Sequence, residues 1–332
     1  MEEIFLKRNL LISLLLVLSV ILAACGDADG AASGKEDANF PGKPITLIVP
    51  HPAGGGSDAV ARAIANAAEK HLGQSIGVVN KPGGGGAVGM TEGSLAKADG
   101  LTATFVTVEL TTLRHLGLSE LKYQDFEPVA QINFDPGAIA VPADAPYDTI
   151  EEFFAYAKEH PKEIQLGSTV PGAIWHLAAA SVEKAAGVEF SHIPFEGSAP
   201  AITALLGGHI DAVSASPGEL LANEVAGKIK TLLIVDTEPA AALPEVTTLT
   251  DIGMEDAKVG AWRGITVPKG TPESYIKKLE DAFLKAAKDE EFIKFMENSG
   301  LGISVLNSED FGKAMEDSDS SFGKLIPTLN IN

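Results

Sequence analysis

Ile48-Val-Pro-His-Pro-Ala-Gly-Gly-Gly-Ser-Asp-Ala-Val-Ala-Arg62 is the stretch whose reading decides the fold. An apolar run enters it over residues 45–49, three glycines follow, and a helical pattern leaves it over residues 58–71. That is a buried strand, a tight turn and a helix, with Ser57 placed as the helix cap. Glycine permits positive φ and close approach to the main chain. The turn from Ala53 through Gly54, Gly55, Gly56 and Ser57 to Asp58 therefore aims free N–H groups past the strand end. A carboxylate there gains about 0.3–1 kcal/mol from the helix dipole, besides its hydrogen bonds. An ordinary capped turn is the competing reading of the same residues.

Outward from this stretch, short β-rich runs alternate with helical ones. Strands are expected at 76–80, 102–108, 164–167, 189–193, 212–215 and 231–235. Helices are expected at 91–98, 149–160, 174–186, 199–206, 218–226, 272–288 and 290–299. Such alternation predicts parallel sheets in an α/β fold. Two segments resemble each other, Ala138-Ile-Ala-Val-Pro-Ala-Asp-Ala-Pro146 and Gly264-Ile-Thr-Val-Pro-Lys-Gly-Thr-Pro272. Each is a strand ending in Val-Pro, with a second proline placed to open a helix at its first turn. Read as two crossings, they divide the chain into one lobe of residues 40–138 plus 264–332 and a second of 139–263. Two crossings make a hinge that can close around a ligand.

The first residues read as an export signal. Lys7 and Arg8 precede an apolar stretch of about 15 residues, too short for a comfortable membrane span of ~20. It ends in Leu22-Ala-Ala-Cys25-Gly26, and Cys25 is the chain's only cysteine. The pattern resembles the bacterial lipobox, so residues 1–24 are expected to be removed and Cys25 to carry the lipid anchor. Residues 25–39 are Gly, Ala, Ser, Asp and Glu-rich and read as a flexible tether. Net charge is −20, and residues 1–24 carry two acids and two bases, so their loss leaves it unchanged. An acidic surface argues against nucleic acid. It also means that an anionic ligand must be held by local donors.

Asn80-Lys-Pro-Gly-Gly-Gly-Gly-Ala-Val-Gly-Met90 is a second glycine turn at a strand end. Gly84, Gly86 and Gly89 spell G-x-G-x-x-G, with Glu109 twenty residues on. A dinucleotide site is rejected. Lys81-Pro82 separates strand from glycines, no helix is expected to start inside the motif, and an exported protein does not meet nicotinamide cofactors in quantity. In the second half, Leu166-Gly-Ser-Thr-Val-Pro-Gly-Ala-Ile-Trp-His176 repeats the strand, small polar turn and helix start. Ser168 and Thr169 offer hydroxyls, and Trp175 offers either an apolar wall or core packing. Gly197 and Ser198 open a further helix, with Ser198 a natural cap or a ligand contact. No G-x-S-x-G elbow and no zinc-ligand spacing is present, so neither an enzyme nor a metal site is expected.

Several of these segments together resemble the tripartite tricarboxylate transporter binding proteins, the TctC/Bug family. The run Phe40-Pro-Gly-Lys-Pro-Ile-Thr-Leu-Ile-Val-Pro-His-Pro-Ala-Gly-Gly-Gly-Ser-Asp58 is similar to the family's opening, and Asn80-Lys-Pro-Gly-Gly-Gly-Gly to its second turn. Asp125-Phe-Glu-Pro-Val129, His176-Leu-Ala178, Pro194-Phe-Glu-Gly-Ser-Ala-Pro200, Leu205-Leu-Gly-Gly-His-Ile-Asp211, Leu243-Pro-Glu-Val-Thr247 and Trp262-Arg-Gly264 follow in order. The resemblance implies an α/β, two-lobed type II periplasmic-binding-protein fold, with two Rossmann-like domains joined by a two-crossing hinge. It implies a monomeric extracytoplasmic receptor without cofactor. That receptor would deliver a di- or tricarboxylate, amino acid or aromatic acid to the large and small membrane subunits of a transporter.

Its ligand would be pinned by backbone groups of both turns, among them Gly84, Gly85 and Gly86. The chain departs from the family at Ala87, where Asn is common, at Arg263, often aromatic in relatives, and at Glu109. Arg263 is either a carboxylate clamp or a solvated arginine beside the hinge. Glu109 is either an ammonium acceptor or half of a structural ion pair, the latter favoured. A ligand sensor for a signalling partner and a secreted hydrolase remain the alternatives; no nucleophile–base pair supports the hydrolase.

Overall fold

The computed structural model describes residues 40–329; the expected export signal, Cys25 and the tether lie outside them. Strands β1 (Ile45–Val49), β2 (Ile76–Asn80) and β3 (Thr102–Thr107) run parallel in the order β2-β1-β3. β1 is central and buries Ile45, Leu47, Ile48 and Val49. Helix α1 (Gly56–Leu72) covers it with Val60, Ala61, Ile64, Ala65, Ala68 and Leu72, a face of 3.6 period. The alanines on that face let α1 lie close to helix Glu273–Ala286, whose Leu279, Ala282, Phe283 and Ala286 complete the same core.

The parallel sheets read from the alternation form only in part. β9 (Gly260–Pro268) pairs antiparallel with β3 and with the first half of β4 (Phe126–Pro142). β10 (Ile303–Leu306) also pairs antiparallel with β4. The second half of β4 enters a second sheet, where it pairs antiparallel with β7 (Ala212–Ala215) and β8 (Ile229–Val235). β5 (Gln165–Thr169) lies parallel to β7 and to β6 (Ser191–Phe195). β4 is thus one 17-residue strand shared by both sheets. A chain that leaves a sheet along one strand and returns beside it must run back the opposite way, so the strands joining the sheets are antiparallel.

Three local expectations are corrected. Helix Ala87–Ser94 begins directly after the Gly84–Gly86 turn, inside the motif where none was expected. A Cβ at Gly89 would come within 2.6 Å of the Lys81 carbonyl oxygen and 2.8 Å of Pro50 Cα. The third glycine therefore seats this helix against the end of β1. The prolines of the two similar segments do not open helices at the first turn: Pro272 is an N-cap, and after Pro146 the helix waits until Ile150, capped by Thr149. Finally, β10 and helix Ser308–Leu325 were not anticipated. Gly312, Gly323, four serines and three aspartates lower that helix's propensity. Tertiary packing overrides this: Phe311, Met315, Phe322 and Leu325 are buried, with the Phe311 ring edge-on to Trp262 at 5.5 Å.

Candidate ligand-binding site

Because β1, β2 and β3 are parallel, their carboxyl ends open on one edge, and both glycine turns lie there. His51 is where the turns meet. Its Nε2 is 3.2 Å from Thr107 Oγ1 at the end of β3, and a Cβ at Gly86 would stand 3.7 Å from its Cε1. Burial pushes the His51 imidazole below its ordinary pKa, and Arg263 adds to this; Glu109 acts the other way and is outweighed. The ring is therefore neutral at neutral pH.

The first turn is held from within by Asp58. Its carboxylate accepts from the Gly54 N–H at 2.8 Å, Arg62 Nε at 3.0 Å and Asn80 Nδ2 at 2.8 Å. Asn80 also donates to the His51 carbonyl at 3.0 Å. Burial opposes the Asp58 charge, but these donors prevail and hold its carboxyl below the usual range. Gly54 stands at φ +82°, a backbone glycine adopts without strain, and its N–H is spent on Asp58. Both residues thus shape the turn and turn away from a ligand.

The cap predicted at Ser57 is not there. Helix α1 begins at an N-cap of Gly55 with no side-chain hydrogen bond, and Ser57 sits inside the first turn. Likewise Ser198 is the first residue of helix Ser198–Leu206, whose N-cap is Gly197, again without a side-chain bond. Among the described residues, the N–H groups of Gly56, Ser57 and Asp58 meet no protein acceptor, nor do those of Gly84 and Gly85. Gly86 is buried and donates to Gly83 to close its turn. Ala53, Gly54, Gly55, Gly56, Gly84 and Gly85 are exposed.

Arg263 is not solvated. Its side chain is 17% exposed, and it bridges the first turn to the strand shared by the sheets. Nε donates to Ser57 Oγ at 3.4 Å; Nη1 donates to Asp135 Oδ2 at 2.8 Å and to Asn133 Oδ1. Asp135 Oδ1 accepts from the Gly302 N–H at 2.7 Å, which ties β10 into the same network. Nη2 has no protein acceptor among the described residues and remains free for an anion. Glu109 is on the 3-10 turn after β3, which packs on the Gly84–Gly86 turn. No cation stands within 4 Å of its carboxylate among the described residues, so the structural ion pair favoured from the sequence does not form.

In the second sheet, Ser168 is 1% exposed and donates to the Thr169 carbonyl at 3.2 Å, while Thr169 Oγ1 is buried and meets no partner among the described residues. Trp175 is buried, and its carbonyl accepts from Ser214 Oγ at 2.8 Å. His176 lines a hollow of about 570 Å³ with Glu183, His192 and Leu329, and no glycine-turn residue lines it. Burial lowers the His176 pKa to about 4, and Nδ1 accepts from the Gly172 N–H at 3.2 Å. A second hollow, about 1050 Å³, lies beside the shared strands and is lined by Asp135, Gly218, Lys258, Trp262 and Gly300 among others. It too holds no glycine-turn residue and touches the Arg263 network through Asp135 and Gly302.

Sequence reasoning missed His51, Asn80, Asn133 and Asp135. His51 and Asn80 stand at the strand ends beside the glycines, a signal that could have found them. Asn133 and Asp135 alternate with Gln131 along one stretch of β4, a pattern visible only once that strand is known.

The profile of the tripartite tricarboxylate transporter family receptor matches residues 60–331. A UPF0065 protein of Cupriavidus necator is 31% identical over 302 residues, covering 89% of this chain and 90% of that protein. A TctC solute-binding protein from Polaromonas, solved without ligand, superposes with TM-score 0.84 at 40% identity, covering 87% of this chain and all of that one (100%). MatC from Rhodopseudomonas palustris, solved with bound malate, superposes with TM-score 0.65 at 25% identity, covering 86% of this chain and 100% of that one. The chain belongs to the tripartite tricarboxylate transporter receptors, the TctC/Bug periplasmic solute-binding proteins, and has their two-lobed type II binding-protein fold.

Proposed function

We propose that this protein is an extracytoplasmic lipoprotein, anchored through Cys25, that closes two lobes around a small organic carboxylate and hands it to the membrane subunits of a tripartite transporter. One observation carries the reading. At the carboxyl edge of the first sheet, the backbone donors of exposed Gly56, Gly84 and Gly85 and of half-buried Ser57 meet no acceptor among the described residues, beside an arginine with a free Nη2. The malate bound by MatC is a ligand of that chemistry. We place Thr169, Ser198 and the N–H groups of the helix that Ser198 opens on the opposite wall. We draw the outward crossing at 136–137. β9 pairs with the first-sheet half of β4 from Gly260 onward, so the return is drawn at 259–260, not at 264.

Moving a hinge population from 1:99 to 99:1 takes about 5.5 kcal/mol of differential affinity. Hydrogen bonds to a charged group contribute about 1.5–3 kcal/mol each, so two to four made only in the closed form suffice. The test is a thermal-shift screen of organic acids followed by small-angle scattering with each hit. The reading requires a hit that raises Tm and reduces the radius of gyration. A panel of di-, tri-, amino and aromatic acids without one such ligand would overturn it.

A further inference from the structure

We infer that the ligand is a zwitterion, an acid that also carries an ammonium group, and that Glu109 is the residue selecting it. The inference rests on the carboxylate-receptor reading above and adds the second charge. Glu109 follows β3 directly, on the turn that packs against Gly84–Gly86. Its side chain is half-buried and makes no ion pair among the described residues. Glu109 and Arg263 both act on the His51 ring, so both charges stand near the point where the two turns meet. Burial keeps that ring neutral, and Arg263 already donates to Asp135 at 2.8 Å. Glu109 is thus a carboxylate on the turn beside the donor row, with no ion-pair partner among the described residues.

In a chain of net charge −20, such a group works against any ligand that is only anionic. Two like charges about 6 Å apart, at an effective dielectric near 20, disfavour each other by roughly a hundredfold in affinity. At that separation an ammonium would be favoured by a comparable factor. A carboxylate on the Gly56–Ser57 donors with an ammonium toward Glu109 satisfies both ends. A second carboxylate can reach Arg263 Nη2, but does so against the Glu109 charge.

The experiment is isothermal titration calorimetry with matched pairs that differ only by the ammonium group: alanine and propionate, aspartate and succinate, glutamate and glutarate, phenylalanine and 3-phenylpropionate. Wild type, Glu109→Gln and Gly56→Pro are compared, with Tm of each unliganded protein as the folding control. The amino member of at least one pair is expected to bind at least about tenfold more tightly than its partner. Glu109→Gln should bring that ratio to within about twofold of unity, whereas Gly56→Pro should weaken both members and keep the ratio. Tighter or equal binding of the desamino acid in every pair, or a ratio that survives Glu109→Gln, overturns the inference and leaves the receptor reading standing. No binding by any acid of the panel overturns both.

Discussion

Helix Ile150–Glu159 opens with the Thr149 hydroxyl accepting from the Glu152 N–H at 3.3 Å, and helix Ser308–Leu325 with Asn307 accepting from the Asp310 N–H at 2.8 Å. Helices Gly56–Leu72 and Ser198–Leu206 open at Gly55 and Gly197 with no side chain accepting anything. A side-chain cap is worth about 0.5–2 kcal/mol over alanine. These two starts stand at the carboxyl ends of strands, the edge of an α/β sheet where ligands bind; the helices opening at Ala87, Ile174, Glu273 and Glu290 also lack a side-chain cap. A missing cap is therefore not enough to mark a binding end, since helix Glu290–Asn298 lacks one and follows another helix. The missing cap together with the strand-end position is what leaves donors open in the first turns after Gly55 and Gly197.

That comparison can be broken or sharpened by substitution. The largest effect is expected from Asp58→Ala, which removes a buried carboxylate holding Gly54, Arg62 and Asn80. Loss of about 2–4 kcal/mol of stability is expected in urea unfolding, with carboxylate binding weakened as the turn loosens. Because the folded Asp58 carboxyl lies below its ordinary range, its contribution is complete above pH about 4 and fades as pH falls through the folded value. The gap between wild type and variant should therefore shrink in acid; a gap that widens there would refute the role.

Next comes Gly56→Pro. Proline suits the first helical position, Gly55 before it is extended at φ −80°, ψ 169°, and a Cβ at Gly56 meets nothing within 4 Å. The change deletes one N–H and little else. Stability should hold or rise by about 0.4–1 kcal/mol, while ligand affinity falls about tenfold or more, read by calorimetry. Unchanged affinity would mean that this donor faces no ligand.

Thr149→Ala is the converse: about 1 kcal/mol of stability lost with ligand affinity unchanged. Smallest in stability is Gly55→Ser, which converts an open start into a capped one. It should add a few tenths of a kcal/mol and lower affinity, because the serine hydroxyl competes for the same N–H groups. If Gly55→Ser stabilises and binding is untouched, the open start is an accident of sequence.

Both glycine turns and the strand-to-helix steps around them were legible, because the signals are local. Hydrophobic period marks the elements, and glycine runs mark where the backbone must turn. The caps were misplaced at Ser57 and Ser198, since a serine near a helix start only becomes a cap if the chain enters the helix at that residue. Glu109 and Arg263 were legible as departures from the family, but their partners were not. Arg263 meets Ser57 from 206 residues away and Asp135 from 128.

By itself the sequence determined the run of elements, the two glycine turns and the family pattern, because main-chain geometry and apolar periodicity act over a few neighbouring residues. Only the tertiary structure decided which groups are satisfied. Asp58 turns inward, His51 joins the two turns, Arg263 is held by Asp135, and Glu109 has no ion-pair partner among the described residues. Whether a polar atom is occupied depends on what is packed against it, and here those partners come from distant strands brought to one edge.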